Sequence, residues 1–233
     1  MGEYSEKRSI VVNVCFSIIS FMVVVFLADT LDLAFYNIIG NVQVSMLLTY
    51  LFCIVILILF YAKDLVREFK SFVKEYDNNI SPMLKYYLVG LGCMVFFNLL
   101  LNQLIGGISV NEEGVREMLF NAPVFSMVLI AIFAPIEEEL TFRKSLQPIF
   151  KNKWLCCIIS GILFGLVHLR IEFVTGTFTL SHLLYILPYG SLGFGFALMN
   201  YETKSTFSSI FVHMIHNGLT ALLLLAAHMM GVI

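Results

Sequence analysis

Charge is what this chain has least of. Asp, Glu, Lys and Arg make up 13% of its 233 residues, against roughly a quarter in soluble domains. Apolar residues reach 59% and the mean hydropathy is +0.90. These values exclude a soluble enzyme, and no basic patch suggests a nucleic-acid partner. Cysteine is sparse and unpatterned: Cys15, Cys53, Cys93, Cys156 and Cys157 all lie in apolar runs, without CxxC or ligand spacing. They read as small buried hydrophobes. HExxH is missing, since His213-Met-Ile-His216 has neither the glutamate nor the spacing. No aspartate falls in the last three apolar segments, which excludes an aspartyl dyad. No internal repeat is evident, which argues against a transporter or proton channel built on inverted repeats.

What is present is a series of long apolar runs. A membrane helix needs about 20 mostly apolar residues, and seven segments qualify: 9–28, 43–62, 83–106, 123–143, 154–172, 180–200 and 206–230. The first is too long for a signal-peptide core and lacks a clean cleavage site, so it reads as a retained span. The polar stretch 63–82 is expected to form an amphipathic surface helix, and 107–120 a connection. With the N-terminus in the cytoplasm, Lys7, Arg8, Lys63, Arg67, Lys70, Lys74, Lys85, Arg143, Lys144, Lys151, Lys153 and Lys204 fall inside, and only Arg116 and Arg170 outside. That bias follows the positive-inside rule. The expected fold is all-α: a polytopic, multi-pass bundle of about seven transmembrane helices in the cell membrane. Its N-terminus would be cytoplasmic and its C-terminus extracytoplasmic. Spans one to three (1–120) would precede a catalytic core in the last four (121–233).

Against this background the run Ala134-Pro-Ile-Glu-Glu-Glu-Leu-Thr-Phe-Arg143 stands out. A charged side chain at mid-helix costs roughly 2.5–3.5 kcal/mol on insertion scales, so such residues point to function when partners can be named. Adjacent helical residues diverge by about 100°, so Glu138 and Glu139 face different ways. Glu139 has Arg143 at the i,i+4 spacing of helix ion pairs; Glu138 is left free to act as a general base. Glu137 points in a third direction and is expected to meet solvent or a loop. Pro135 disrupts the ladder ahead of the acids.

Partners lie further on. Phe164 and His168 share a helix face, as do His213 and Asn217; His216 is nearby, without an assigned role. Glu138 and His168 are almost equally far from a basic turn near Asn152, so antiparallel helices would bring them to one depth. Gly161 and Gly165 would let those helices approach closely. Ser160 and Ser191 have no triad partners and read as packing residues; His182 and His228 lie near span ends and read as interfacial. Glu138 and His168 could polarise a water for attack on an amide, with His213 and Asn217 donating to the oxyanion.

At these residues a family resemblance becomes specific. Glu138-Glu139-Leu-Thr-Phe-Arg143, Phe164-Gly-Leu-Val-His168 and His213-Met-Ile-His-Asn217 match, in order, the EExxxR, FxxxH and HxxxN motifs. These belong to the CAAX protease and bacteriocin-processing (Abi) family of intramembrane proteases. The resemblance covers about residues 120–225. It implies that Glu138 is the catalytic base, that His168, His213 and Asn217 assist water activation and oxyanion binding, and that Glu139 and Arg143, with Phe164, support the site. Lys144 departs from the glycine common there, which puts local packing in question.

The function expected is an intramembrane endopeptidase acting on a peptide precursor or lipidated protein near the cytoplasmic half of the bilayer. Bacteriocin or quorum-sensing peptide maturation, or self-immunity, is the favoured setting. The rival is a non-catalytic immunity or regulatory protein that binds a partner membrane protein, a role that would not require the full motif set. No cofactor is expected. Zinc is the alternative, although asparagine is a poor zinc ligand and no cysteine or second close carboxylate completes a site.

Overall fold

The computed structural model describes residues 8–232, so Lys7 lies outside the described part. Nine helices account for nearly all of it, with no strand among the described residues. They are α1 (Ile10–Ile39), α2 (Val42–Lys74), α3 (Tyr76–Leu104), α4 (Val110–Asn121), α5 (123–144), α6 (Lys153–Val167), α7 (Arg170–Thr175), α8 (Leu180–Thr203) and α9 (Thr206–Met229). Five of them, α1, α2, α3, α8 and α9, are long and apolar enough to cross a membrane. Each carries large apolar side chains on its outside, such as Ile18, Leu59, Phe96, Leu187 and Leu223. In lipid that arrangement is the low-energy one, because a helix satisfies its backbone internally and the bilayer solvates the side chains.

Two of the seven expected spans are not of this kind. Segment 154–172 is a 15-residue apolar helix ending at Val167, followed by a turn and the short α7. Segment 123–143 is helical but too polar at its C-terminal end to rank with the five. The expected surface helix at 63–82 is not a separate element either. Helix α2 runs unbroken for 33 residues to Lys74, and α3 starts at Tyr76. The reason is visible in the packing: Asp64, Leu65, Glu68 and Phe72 are all buried, so the polar extension has a protein face of its own. The 107–120 connection contains α4, whose first turn is capped by Ser109 Oγ accepting from Glu112 N at 3.2 Å.

The two ends of the bundle differ in chemistry. At the basic end, Asp64 accepts from Arg8 at 2.6 Å and pairs with Arg67. Lys144 pairs with Glu68 and lies 3.7 Å from Asp64. Glu68 also accepts from Thr206 N at 2.9 Å, which places a carboxylate at the positive end of the α9 dipole. Lys144, the residue that departs from the family glycine, is thus buried in an acidic socket supplied by α2. At the opposite end Asp29 pairs with Arg170, Ser109 meets Tyr189 at 2.7 Å, and Phe120 stacks on His228 at 3.9 Å.

The close helix approach expected of Gly161 and Gly165 occurs, but with a different partner. A Cβ on Gly161 would lie 2.7 Å from the Gly190 carbonyl, and one on Gly165 2.9 Å from that of Ile186. The glycines therefore join α6 to α8, not to α5. Ser160, on the neighbouring face, donates to the Phe142 carbonyl at 2.7 Å and ties α6 to α5. Ser191 donates to Leu187 O at 2.6 Å within its own helix. Gly195 lets α8 meet α3, since its Cβ would lie 2.7 Å from Tyr86 O.

Candidate active site

The site is built on α5, whose hydrogen-bonding pattern changes twice. Residues Leu129–Phe133 and Leu140–Lys144 are π-helical turns flanking the regular stretch Ala134–Glu139. π-Turns recur at functional sites, and here one has a clear local cause. Ala134 N–H reaches back five residues to Leu129 O. The next donor in that register would serve Ile130 O, but it belongs to Pro135, which has no N–H. The carbonyl left over accepts from Asn217 Nδ2 of α9 at 3.0 Å. Proline and asparagine, 82 positions apart in sequence, are therefore two halves of one contact.

Glu139 is fully buried. Its Oε1 lies 3.1 Å from Arg143 Nη1, at the expected spacing, and also 2.9 Å from His213 Nδ1. Arg143 is held further by Gly193 O at 3.1 Å and by the Phe164 ring, whose centroid is 4.4 Å from the guanidinium carbon. A carboxylate only accepts hydrogen bonds, so His213 Nδ1 carries the proton donated to Glu139. The other ring nitrogen, Nε2, then faces Glu138 Oε2 at 3.5 Å. His213 thus connects the two glutamates, a link the spacing analysis did not anticipate.

His168 ends α6. Its Nδ1 sits 2.7 Å from the Phe164 carbonyl; a carbonyl can only accept, so Nδ1 is the donor and Nε2 keeps its lone pair. The ring is packed between Phe164, at 4.6 Å, and Tyr189, stacked at 4.2 Å and 21°. Tyr189 is fixed in turn by Ser109 and, at 3.4 Å, by Asn111 Nδ2.

Glu138, His168, His213, His216 and Asn217 line one cavity of about 610 Å³. Phe164, Tyr189, the 107–112 connection and apolar residues of α3 and α9 complete its wall. Glu138 and His168 line the same cavity, and hydrogen-bonded turns carry the backbone on from α5 to Ile149 before the chain reaches α6. His216 meets the Tyr87 hydroxyl at 3.3 Å. A second cavity, about 620 Å³, shares Tyr50, Asn111, Glu138 and His168 with the first.

Several residues stand differently from expectation. Glu137 is not at the surface: it is buried, faces the Cys53 thiol of α2 and borders the second cavity. Cys15 and Cys93 are exposed, while Cys53, Cys156 and Cys157 are buried. His182 is not free, since Thr179 N donates to its Nδ1 at 2.9 Å. Asn217 spends one amide hydrogen on Ile130, leaving one for the cavity. Tyr189, Tyr87 and the Gly193 and Ile130 carbonyls were not foreseen, because nothing in local spacing links them to the motif residues. The one available signal was the missing N–H of Pro135.

His213 Nδ1 is engaged with Glu139 and Asn217 Nδ2 with Ile130 O, which leaves His213 Nε2 and Asn217 Oδ1 as their remaining donor atoms. Among the described residues no three His, Cys, Asp or Glu side chains converge as a metal site requires.

Residues 120–219 match the family described as Type II CAAX prenyl endopeptidase Rce1-like. The chain is 26% identical over 149 residues to the "Putative membrane peptidase YdiL" of Bacillus subtilis (strain 168); the match covers 63% of this chain and 50% of that one. It is 27% identical over 139 residues to UPF0177 protein YxdF of Lactococcus lactis subsp. lactis (strain IL1403), covering 55% and 70%. With UPF0177 protein YbdI of the same strain it shares 45% over 47 residues, 20% and 26% of the two chains. No solved structure matches. The segment that matches is the one that carries the glutamates, the three histidines and the asparagine of the cavity, and in it the chain is similar to the Rce1-like CAAX endopeptidases.

Proposed function

We propose that the chain is an intramembrane endopeptidase in which Glu138 activates water for attack on a peptide bond. The observation that carries this reading is the arrangement of Glu138 beside His213 Nε2 at 3.5 Å, in a cavity that also receives His168 and Asn217. Glu138 takes a proton from water while the water oxygen bonds to the carbonyl carbon. The lone pair on His168 Nε2 accepts the second water hydrogen and fixes its orientation. The free amide hydrogen of Asn217 supports the carbonyl oxygen as negative charge develops there. Glu138 then returns the proton to the amide nitrogen, the C–N bond breaks, and a carboxylic acid and an amine leave. His213, whose Nδ1–H is committed to Glu139, accepts at Nε2 from Glu138 once Glu138 has taken the proton, and so holds that proton beside the amide nitrogen in preference to serving the oxyanion. Glu139 and Arg143 hold His213.

The substrate class is a peptide precursor, matured or destroyed at the membrane, in the manner of bacteriocin or quorum-sensing peptides or of self-immunity. The bacterial relatives favour this over a prenylated protein. We place α5 and α6 across the bilayer with the five long helices, seven spans in all, with the N-terminus cytoplasmic; the gathering of Lys and Arg at one end of the bundle supports that orientation. Residues 121–233 form the catalytic core in this reading, and the preceding helices shape access to it. The test is cleavage of a peptide library by the protein purified in lipid nanodiscs. Glu138→Gln is expected to lower the rate about 100- to 10,000-fold, the usual worth of a general base, with unchanged thermal stability. Undiminished cleavage by that variant would overturn the assignment.

A further inference from the structure

Helix α3 lies outside the segment that matches the CAAX endopeptidases, yet it supplies one wall of the cavity that holds Glu138. It does so through Met94, Val95, Asn98, Leu101 and Asn102, which share one helix face. Leu101, beside the asparagines on that face, is 3% exposed and packs on Leu169 and Tyr185, so the face is turned inward. Phe96 and Leu100, on the opposite side, are exposed and meet lipid. Among the described residues neither asparagine amide has a hydrogen-bond partner, and both side chains are open to the cavity. Polar side chains within a membrane span ordinarily bond across helices. Two amides left unspent in the same cavity as the glutamate are available to a guest.

Resting on the endopeptidase reading, we infer that Asn98 and Asn102 bind the backbone of the substrate peptide and hold it extended on its way to Glu138. A peptide drawn out of helical form within a water-poor cavity needs partners for its freed N–H and C=O groups. A primary amide brings both donors and an acceptor, so one asparagine can accept from the N–H and donate to the C=O of a single residue. In an extended chain those two groups share an edge, and the next residue to use that edge is two further on, about 6.6–6.8 Å away. Residues four apart on a helix are separated by about 6 Å along its axis. Asn98 and Asn102 therefore match two alternate residues of an extended peptide. The position of those residues follows from the same geometry. Tyr87 of α3 meets His216, which lies within one turn of His213 and so close to the level of Glu138. Asn98 and Asn102 are 11 and 15 residues beyond Tyr87, or about 16 and 22 Å. An extended chain covers those distances in about five and seven residues. The substrate is then a peptide that continues for at least about seven residues on one side of the cut bond, and that stretch is recognised through its backbone, whatever its side chains.

The experiment uses the full chain in nanodiscs and a mixed-sequence peptide library in which each peptide carries one N-methylated residue at a random position. Cut bonds are mapped by mass spectrometry, and the place of the N-methyl group is counted from each. Cleaved peptides should be depleted about fivefold in N-methyl groups at two alternate positions to one side of the bond, the net worth of one hydrogen bond, with the position between them tolerant. Asn98→Leu should erase the nearer depletion and Asn102→Leu the farther. Each should raise KM for unmethylated peptides about tenfold, for two bonds lost, with kcat unchanged and no loss of thermal stability. An even spread of N-methyl groups, a depletion that survives both leucine variants, or a fall in kcat at constant KM overturns the inference. So does a loss of self-association in the leucine variants with the N-methyl pattern intact, which would assign the asparagines to a contact between copies. Cleavage abolished by Glu138→Gln without any alternate pattern would leave the protease reading intact and remove only the backbone site. If the unaltered protein cuts nothing, retention of the library on immobilised nanodiscs decides. Retention weakened by both leucine variants would keep the peptide site and remove the protease reading; retention indifferent to them would remove both.

Discussion

Replacing Arg143 by methionine isolates the brace behind the site. The guanidinium and the Glu139 carboxylate are 3.1 Å apart, with side-chain exposures of 1% and 0%. Removing one member of a buried pair costs about 3–5 kcal/mol, because the other charge stays buried without its counterion. Glu139 would keep His213 Nδ1 at 2.9 Å, which argues for the lower end, about 3 kcal/mol. The contacts of Arg143 with Gly193 O and the Phe164 ring are lost as well, though methionine refills part of that volume. For a chain of this length, about 3 kcal/mol corresponds to a fall in Tm of roughly 6–12 °C. The buried thiols of Cys53, Cys156 and Cys157 provide the assay: a thiol-reactive dye reports their exposure on heating, above the constant signal of Cys15 and Cys93. The double variant Arg143→Met with Glu139→Leu removes both charges and should recover at least half of the loss. A shift below about 1 kcal/mol for the single variant, or a double variant less stable than the single one, would refute the idea of a mutually dependent buried pair.

Other outcomes follow from contacts described above. Gly161→Ala should destabilise by about 1–3 kcal/mol, because its Cβ would meet the Gly190 carbonyl at 2.7 Å. Gly92→Ala, with nothing within 4 Å, should be neutral or stabilising by up to about 1 kcal/mol; the same thermal assay compares them. Lys144→Met leaves Glu68 buried with only Thr206 N–H, and should lower stability by at least about 2 kcal/mol. Adding Glu68→Gln should restore part of that stability. Tyr189→Phe keeps the stack on His168 but loses the Ser109 bond, worth about 1 kcal/mol. Hydrogen exchange at residues 107–111 should rise in that variant while exchange in α6 stays unchanged.

Much of the site was readable in advance because helix periodicity fixes which side chains share a face. Glu139 with Arg143, Phe164 with His168 and His213 with Asn217 all follow from a spacing of four. The all-helical fold and its five long spans follow from apolar run length. What periodicity could not supply was contact between helices. Gly161 and Gly165 advertise a close neighbour without naming it, and the neighbour is α8. Glu137 looked suited to solvent because its partner, Cys53, lies on α2, outside any local pattern. The polar stretch 63–82 resembled a surface helix because composition does not reveal that Lys144 is waiting for Glu68 and Asp64. Span counting weakened where function concentrates, since acids and π-turns in α5 lower the apolarity on which the count depends.

Those π-turns bear on how the chain tolerates change. Each accommodates one residue more than a regular helix needs over the same rise. Losing a single residue from Leu129–Phe133 would let the backbone relax into ordinary α-helix at little cost in hydrogen bonds. The glutamates would keep their rotational phase, because the turn absorbs its extra residue locally. What would change is the carbonyl that Pro135 leaves without a donor: it would lie four residues before the proline, not five. Asn217, which now donates to that carbonyl at Ile130, would face a differently placed acceptor. The extra residue is therefore a device for aiming one carbonyl, and a one-residue difference upstream of Pro135 would be felt at Asn217 before it is felt at the acids.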